Sequence, residues 1–292
     1  MSASPHPVPR NLAPRNQTSP NPVPAGAARP SLPLWTIRGS LDRRLYLSIA
    51  VSSFGLWLAL WWAVSALELI DPLFLPGPGA VLRRFVSWAR AGDLLEDAKI
   101  SIFRVTAGFL LSALMALPLG LIIGAYRPVR ALFEPLLEFA RYLPAVAFVP
   151  VVLLWTGIGE PSKIAVIWIG TFFQMVIMLS EDVTRVPMPQ IEAARTLGAN
   201  DREVLILVLM RSAMPAMFDT LRITLGWAWT YLVVAELVAA NSGLGYAILK
   251  AQRFLQTDRI FVGIIVIGLI GLGTDQILRW IHRRLFPWAG AR

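Results

Sequence analysis

The sequence predicts an all-α membrane protein with six transmembrane helices. Three observations carry that expectation: 56% of the 292 residues are apolar or aromatic, only 15% are charged, and long stretches carry no charge at all. Soluble domains carry about 45–50% apolar and about 25% charged residues, and a mean hydropathy of +0.60 lies on the membrane side of that balance. The composition excludes an ordinary cytosolic globular protein and, with 11 Trp, a wholly disordered one.

Residues 1–33 hold 9 of the 22 prolines among Ser, Asn and Ala. With no apolar core and no signal-peptide h-region, segment 1–40 is expected to be a disordered proline-rich tail. From Leu45 to Leu67 run 23 residues without a charge. At about 1.5 Å per residue these cross a hydrocarbon layer of about 30 Å, which makes them the first span. The segment after it is broken by Pro and Gly between Pro72 and Gly79. It continues as an amphipathic stretch with Val81, Leu82, Phe85, Val86 and Trp88 among charged residues, suited to the membrane interface. A second uncharged run of 22 residues, Val105 to Tyr126, contains Pro118 and Gly120. Four further apolar runs, extended through their charged flanks, give spans near 132–156, 163–181, 215–237 and 259–280. No internal repeat of 20–50 residues is visible.

The formal charge of +9 comes from 27 Lys+Arg against 18 Asp+Glu, scattered between apolar runs rather than gathered on one face. That pattern reads as membrane topology, not as a nucleic-acid surface. Six spans place both termini on one side. Arg29, Arg38, Arg43, Arg44, Arg127, Arg130, Arg185, Arg195, Arg202, Arg211, Arg279, Arg283, Arg284 and Arg292 fall on that side, against Arg83, Arg84, Arg90, Lys99, Lys163, Lys250, Arg253 and Arg259 on the other, a modest bias that favours cytoplasmic termini. The absence of Cys and the presence of only His6 and His282 leave no thiol chemistry, no disulfide and no zinc site. No phosphate-binding Gly-x4-Gly-Lys pattern occurs. Gly157-Ile158-Gly159-Glu160-Pro161 follows a hydrophobic run rather than a strand and reads as an outer turn. No catalytic residues and no cofactor of the chain's own are expected.

Between the fourth and fifth spans the residue order becomes specific. Pro187 and Pro189 open a short helix from Gln190, Gly198 and Asn200 close it, and Asn200 or Asp201 caps a second helix over Arg202–Met210. The expected form is a helix–Gly–helix elbow outside the membrane, within a loop of about 185–215. The pattern Glu192-Ala193-Ala194-x3-Gly198 resembles the EAA loop of bacterial ABC importer permeases of the type I, MetI-like fold.

Other motifs narrow the resemblance to the nitrate/sulfonate/taurine/bicarbonate permeases and extend it over about 45–292. They are Tyr142-Leu143-Pro144 through Pro150, Gly157-Ile158-Gly159-Glu160 through Lys163, Leu221-Arg222 through Gly226 and Trp229, and Val234-Ala235-Glu236. One departure is that Met210-Arg211 stand where such permeases usually have Leu-Pro, whereas Pro215 is retained.

The resemblance implies a multi-pass permease domain over 41–292 in the bacterial cytoplasmic membrane. It implies a homodimer that carries two cytoplasmic ATPase subunits, which hold ATP and Mg, and is fed by a periplasmic or lipid-anchored solute-binding protein. Its cargo would be a small anion or organic sulfonate. Glu192, Ala193, Ala194, Leu197, Gly198 and Ala199 would form the coupling surface for the ATPase.

For the translocation path the candidates are Arg141, Pro144, Trp227 and Trp229. If the third span starts near Leu132, Arg141 lies about 14 Å along it, near the midplane, where charge faces protein or water. Pro144 should kink the helix beside it. Glu138, three residues earlier, leaves a second reading open, a self-neutralising ion pair, and Asp219 with Arg222 repeats that spacing. Trp227, Trp229 and Tyr231 read first as packing or interface residues. A permease for another small organic solute and, less favoured, an ion-coupled secondary transporter are the alternatives. The latter predicts repeated halves, which are not seen.

Overall fold

A computed structural model describes residues 42–289, and the expected tail 1–40 lies outside them. The described residues form helices and contain no strand. They are α1 (Arg43–Ala66), α2 (Pro78–Ala91), α3 (Asp93–Ala125), α4 (Arg127–Arg141), a 3-10 turn (Ala145–Phe148), α5 (Val149–Thr156), α6 (Glu160–Thr184), α7 (Met188–Thr196), α8 (Asp201–Glu203), a π-helical stretch (Val204–Met210), α9 (Arg211–Ala239), α10 (Leu244–Arg253) and α11 (Thr257–Leu285). Five stretches are long and apolar enough to cross a membrane: α1, α3, α6, the continuous rod Asp201–Val238, and α11. The sixth is a broken pair, α4 with Ala145–Thr156, bent by 88°.

That break corrects the expectation of a single kinked third span. Pro144 disfavours helical geometry at Leu143 and cannot donate a backbone hydrogen bond. Helix α4 therefore stops at Arg141, and the chain restarts beyond Pro144 as a 3-10 turn. The elbow also differs. Its second helix does not end at Met210 but runs on through Arg211 and Pro215 to Ala239, with a widened π-helical stretch just before Arg211. Helix α3 begins twelve residues before the expected Val105, and two of the charged residues in that added length, Asp97 and Arg104, find partners inside the protein.

The bundle is centred on α3 and α6, which pack parallel, since Gly108 meets Ile167, Ser112 meets Thr171 and Gly120 meets Leu179 in order along both helices. Along α3 the buried residues Ser101, Arg104, Val105, Gly108, Ser112, Ala116 and Gly120 recur at helical spacing. Small residues let the two backbones approach, as in other membrane helix pairs. A Cβ on Gly120 would stand 2.6 Å from Leu179 Cβ and 3.2 Å from the Val176 carbonyl oxygen. Ser112 and Thr171 hydroxyls meet at 2.7 Å across this seam. In helix α1, Trp61 donates to the Pro76 carbonyl at 3.1 Å and stacks on Phe261 of α11.

One end of the bundle is tied by a buried polar network. Arg104, fully buried, donates to both carboxylate oxygens of Glu160 at 2.6 and 2.7 Å, to Glu236 Oε1 at 2.7 Å and to the Ser242 carbonyl at 2.7 Å. Glu236, equally buried, also accepts from Ser101 Oγ at 2.8 Å and from the Gly245 backbone at 2.7 Å. The turn into α10 passes through Gly243 at φ +107°. A side chain there would strike the Glu236 carboxylate and Arg104 Nη1. Helix α10 itself was not expected from the sequence, although Leu244, Ala247 and Ala251 mark its buried face.

At the opposite end, α6 finishes at Thr184 beside the start of α4, where Arg130 Nη1 reaches Thr184 Oγ1 at 3.4 Å. Since α5 leads back to Glu160 beside Arg104, the broken pair traverses the bundle from one end to the other.

Two stability tests follow from this packing. Gly120→Leu should lower the unfolding free energy of the purified protein by about 1–3 kcal/mol through overpacking. Gly273→Ala, where an added Cβ meets nothing within 4 Å, should be neutral; equal thermal shifts in the two variants would contradict the close α3–α6 seam. Arg104→Gln leaves Glu160 and Glu236 without their shared cation, so a loss of about 3–5 kcal/mol is expected. A midpoint unchanged from the parent would show that the network is not holding the bundle.

Candidate functional site

The elbow takes its form from local chemistry. Pro187, in extended conformation, precedes α7, and Pro189 occupies an early position that needs no donor. After Thr196 the chain closes with hydrogen bonds from Leu197 N to Ala193 O at 3.1 Å and from Ala199 N to Ala194 O at 3.0 Å. Gly198 turns left-handed at φ +90°. Asn200, not Asp201, caps the next helix. Its Oδ1 accepts from Glu203 N at 3.0 Å, and Glu203 Oε2 accepts from Asn200 N at 2.9 Å. Arg195 and Asp201 clasp the two arms at 2.7 Å, and Ser212 Oγ donates to Gln190 Oε1 at 2.8 Å.

The elbow has two faces. Ile191, Ala194 and Ala199 pack against the main core. Glu192, Ala193, Leu197 and Gly198 are exposed, and Leu197 at the tip is 89% exposed. An open cavity of about 770 Å³ beside Tyr126, Arg127 and Thr184 separates α7 from the α3–α4 corner. The coupling candidates are thus adjacent in space, but Ala194 and Ala199 face inward.

A second cavity, of about 270 Å³, lies where α4 breaks. Arg141 and Leu143 from the break, Phe173 and Gln174 from α6, and Trp227 and Tyr231 from α9 line it. Gln174 lies about 21 Å along the 25-residue α6 at 1.5 Å per residue, so the cavity sits about midway between the two ends of the bundle. The Arg141 side chain stacks on its neighbour, with its guanidinium 4.9 Å from the Tyr142 ring centroid and Nη2 3.1 Å from the Tyr142 hydroxyl. Its distance to Glu138 is 3.8 Å, an ion pair without a hydrogen bond. The structure brings Arg141 and Trp227 to the cavity and leaves the other two candidates outside it. Pro144 breaks the helix without lining the space, and Trp229 is buried, donating to Thr274 Oγ1 of α11 at 3.3 Å. Sequence reasoning missed Gln174 and Phe173, although Gly170, Phe173 and Gln174 follow the helical spacing that joins Trp227, Thr230 and Tyr231.

Near the elbow end the Asp219–Arg222 pair closes at 3.1 Å and extends across to α11. Arg222 also binds Asp275 at 3.0 Å, and Asp275 binds Arg279 at 3.0 Å. Among the described residues no group of three or more His, Asp or Glu is placed to hold a metal ion.

This arrangement of helices has relatives. A family model described as the binding-protein-dependent transport system inner membrane component matches residues 116–287. The taurine transport system permease protein TauC of Escherichia coli is 36% identical over 258 residues, covering 87% of this chain and 93% of that protein. A putative aliphatic sulfonates transport permease protein of Bacillus subtilis is 34% identical over 231 residues, covering 79% and 84%. Among solved structures, the inward-facing MetNI methionine ABC transporter superposes with a TM-score of 0.56 over 66% of this chain and 98% of that one, at 18% identity, a likeness of fold. The family match, the two permeases and the MetI-like helix arrangement agree: this chain belongs to the family of binding-protein-dependent transport system inner membrane components, the permease subunits of ABC transporters.

Proposed function

We propose that this permease forms the translocation path of an ATP-driven importer for a small anion or organic sulfonate. The observation that carries the reading is Arg141, a partly exposed cation at a helix break that lines a cavity with no carboxylate in its lining. Intramembrane charge costs at least about 2.5–3.5 kcal/mol on insertion scales and is kept where it serves a polar path. Irregular backbone is tolerated at such depth where it lines a water-filled space or is buried in protein. The names of the taurine and aliphatic sulfonate relatives support the same class of cargo.

In this reading two copies of the chain flank a shared path, and two separate ATPase subunits bind and hydrolyse ATP with Mg. A periplasmic or lipid-anchored binding protein delivers the solute. The permease is itself non-catalytic and binds no cofactor. Both termini face the cytoplasm, as the elbow does. Domain 41–292 is the permease, with its coupling segment at about 185–215. Glu192, Ala193, Leu197 and Gly198 meet the ATPase, while Ala194 and Ala199 seat the elbow on its own bundle. An exposed leucine at the tip loses water when it enters a groove, and the left-handed glycine beside it lets the chain turn without a side chain. Pro144 contributes by breaking the helix, and Trp229 by fixing α9 on α11.

Two experiments test this. Gly198→Trp should reduce ATPase copurification by about tenfold, the equivalent of about 1.4 kcal/mol, while helical content stays at the parent level. Glu192→Ala should do less. A Gly198→Trp complex that assembles and transports normally would remove the coupling role from the elbow. In vesicles containing all partners, Arg141→Gln should abolish anion uptake yet keep most binding-protein-stimulated ATP hydrolysis, and Glu138→Gln should be milder. Equal loss of assembled complex in both would assign Arg141 to a structural ion pair.

A further inference from the structure

The cavity at the α4 break is lined by two chemically different sets of residues: Arg141, Gln174, Thr230 and Tyr231 bring polar groups, and Trp227 and Phe173 bring apolar rings. Among the described residues, no side-chain hydrogen bond occupies Gln174, Thr230 or Tyr231, so these groups remain available to a guest. The nearest carboxylate partner of Arg141, Glu138, stands at 3.8 Å, too far for a hydrogen bond, which leaves the guanidinium's donors largely uncommitted. Tyr231 is fixed in place by close helix contact, because its ring occupies the space that a Cβ on Gly170 would need. Gln174 and Phe173 on α6 and Trp227, Thr230 and Tyr231 on α9 thus stand on helices in close contact.

A small inorganic oxyanion would use only the polar set. It would gain nothing from two aromatic rings and would leave part of the 270 Å³ to water. That volume falls just below the range of about 300–1,000 Å³ typical of pockets for small organic ligands. An organic anion with an apolar body uses both sets: the oxygens accept from the cation, amide and hydroxyls, while the carbon skeleton lies on the rings and removes apolar surface from water. A sulfonate suits the polar set well, since it presents three acceptor oxygens and stays ionised throughout the physiological pH range.

We propose that the permease carries its own selective site in this cavity, for an organic anion with an apolar body of the alkane- or arenesulfonate kind. Arg141, Gln174, Thr230 and Tyr231 hold the headgroup, and Trp227 and Phe173 hold the body. The proposal rests on the reading of this chain as an anion importer and deepens it: selection by the binding protein is repeated inside the membrane, and an inorganic anion delivered to the same cavity is held less well.

The absence of Cys from the chain makes the test direct. In the assembled complex with its ATPase, Gln174→Cys, or Thr230→Cys as a second position, supplies the one thiol of this subunit. Its modification is followed by mass spectrometry of the permease peptide with two probes, 2-sulfonatoethyl methanethiosulfonate and its trimethylammonioethyl analogue. The sulfonate probe should react about tenfold faster than the cationic one, and Arg141→Gln in the same background should erase most of that preference. Benzenesulfonate should slow labelling about fivefold or more at a concentration where nitrate and bicarbonate do not, and Trp227→Ala should remove this protection while keeping the charge preference. Equal protection by nitrate and benzenesulfonate, or no preference between the two probes at either position, would overturn the proposal. Anion uptake by the parent complex in vesicles reads the importer function separately: uptake with no probe preference rejects the site alone, and no uptake of any anion rejects the importer reading whatever the labelling shows.

Discussion

The rest of the bundle depends on one buried guanidinium. Arg104 has no exposed surface, and neither has Glu236, its partner at 2.7 Å. Charge removed from water in this way is tolerable only when paired and fully hydrogen-bonded. Glu160, Ser101, Ser242 and Gly245 complete that requirement. Because these groups come from α3, the start of α6, the end of α9 and the entry to α10, satisfying one arginine sets the register of four elements. A slip of one residue in any of them would leave a charge unpaired in an apolar surrounding. The network does not add much net stability over an apolar core; it selects one arrangement among the many that apolar helices could share.

With that end fixed, close small-residue contacts carry the α3–α6 pair toward the elbow end, and the two together form the rigid frame against which α4 and α5 are laid. The irregular stretch at residues 142–144 falls between these ends, next to the middle of α6 and α9. A cation, a helix break and a cavity coincide there for a physical reason. The break frees backbone groups that need water or protein partners, and the arginine needs the same polar surroundings. The cavity opens beside α9, whose far end carries Glu236 and whose near end continues directly into the elbow. One continuous rod, Asp201–Val238, thus joins the buried latch to the cavity lining and to the turn that follows the exposed Leu197.

The π-helical stretch Val204–Met210 lies on that rod between the elbow and the ion-pair ladder of Asp219, Arg222 and Asp275. Wide turns of this kind are rare and concentrate at functional positions in helices. Here it stands directly before Arg211, where regular α-helix resumes. The ladder beyond it ties α9 to α11, so the elbow meets the membrane bundle through a locally altered helix anchored at its upper end by charge.

The sequence by itself determined which segments cross the membrane, because hydrocarbon thickness and the cost of charge act on any run of residues irrespective of fold. It also determined the elbow, since Pro187, Gly198 and Asn200 act on their immediate neighbours through backbone angles and caps. It could not separate Trp227 from Trp229. The two are close in sequence on one helix, and only the placement of α6 and α11 decides that the first lines a cavity and the second is buried against Thr274. Nor could it reveal that Arg104 meets carboxylates 56 and 132 residues away, or that the break at Pro144 amounts to 88°. Local chemistry fixes where a helix can bend and which side chains are charged; the direction of the bend and the partner of each charge are settled only when distant helices come into contact.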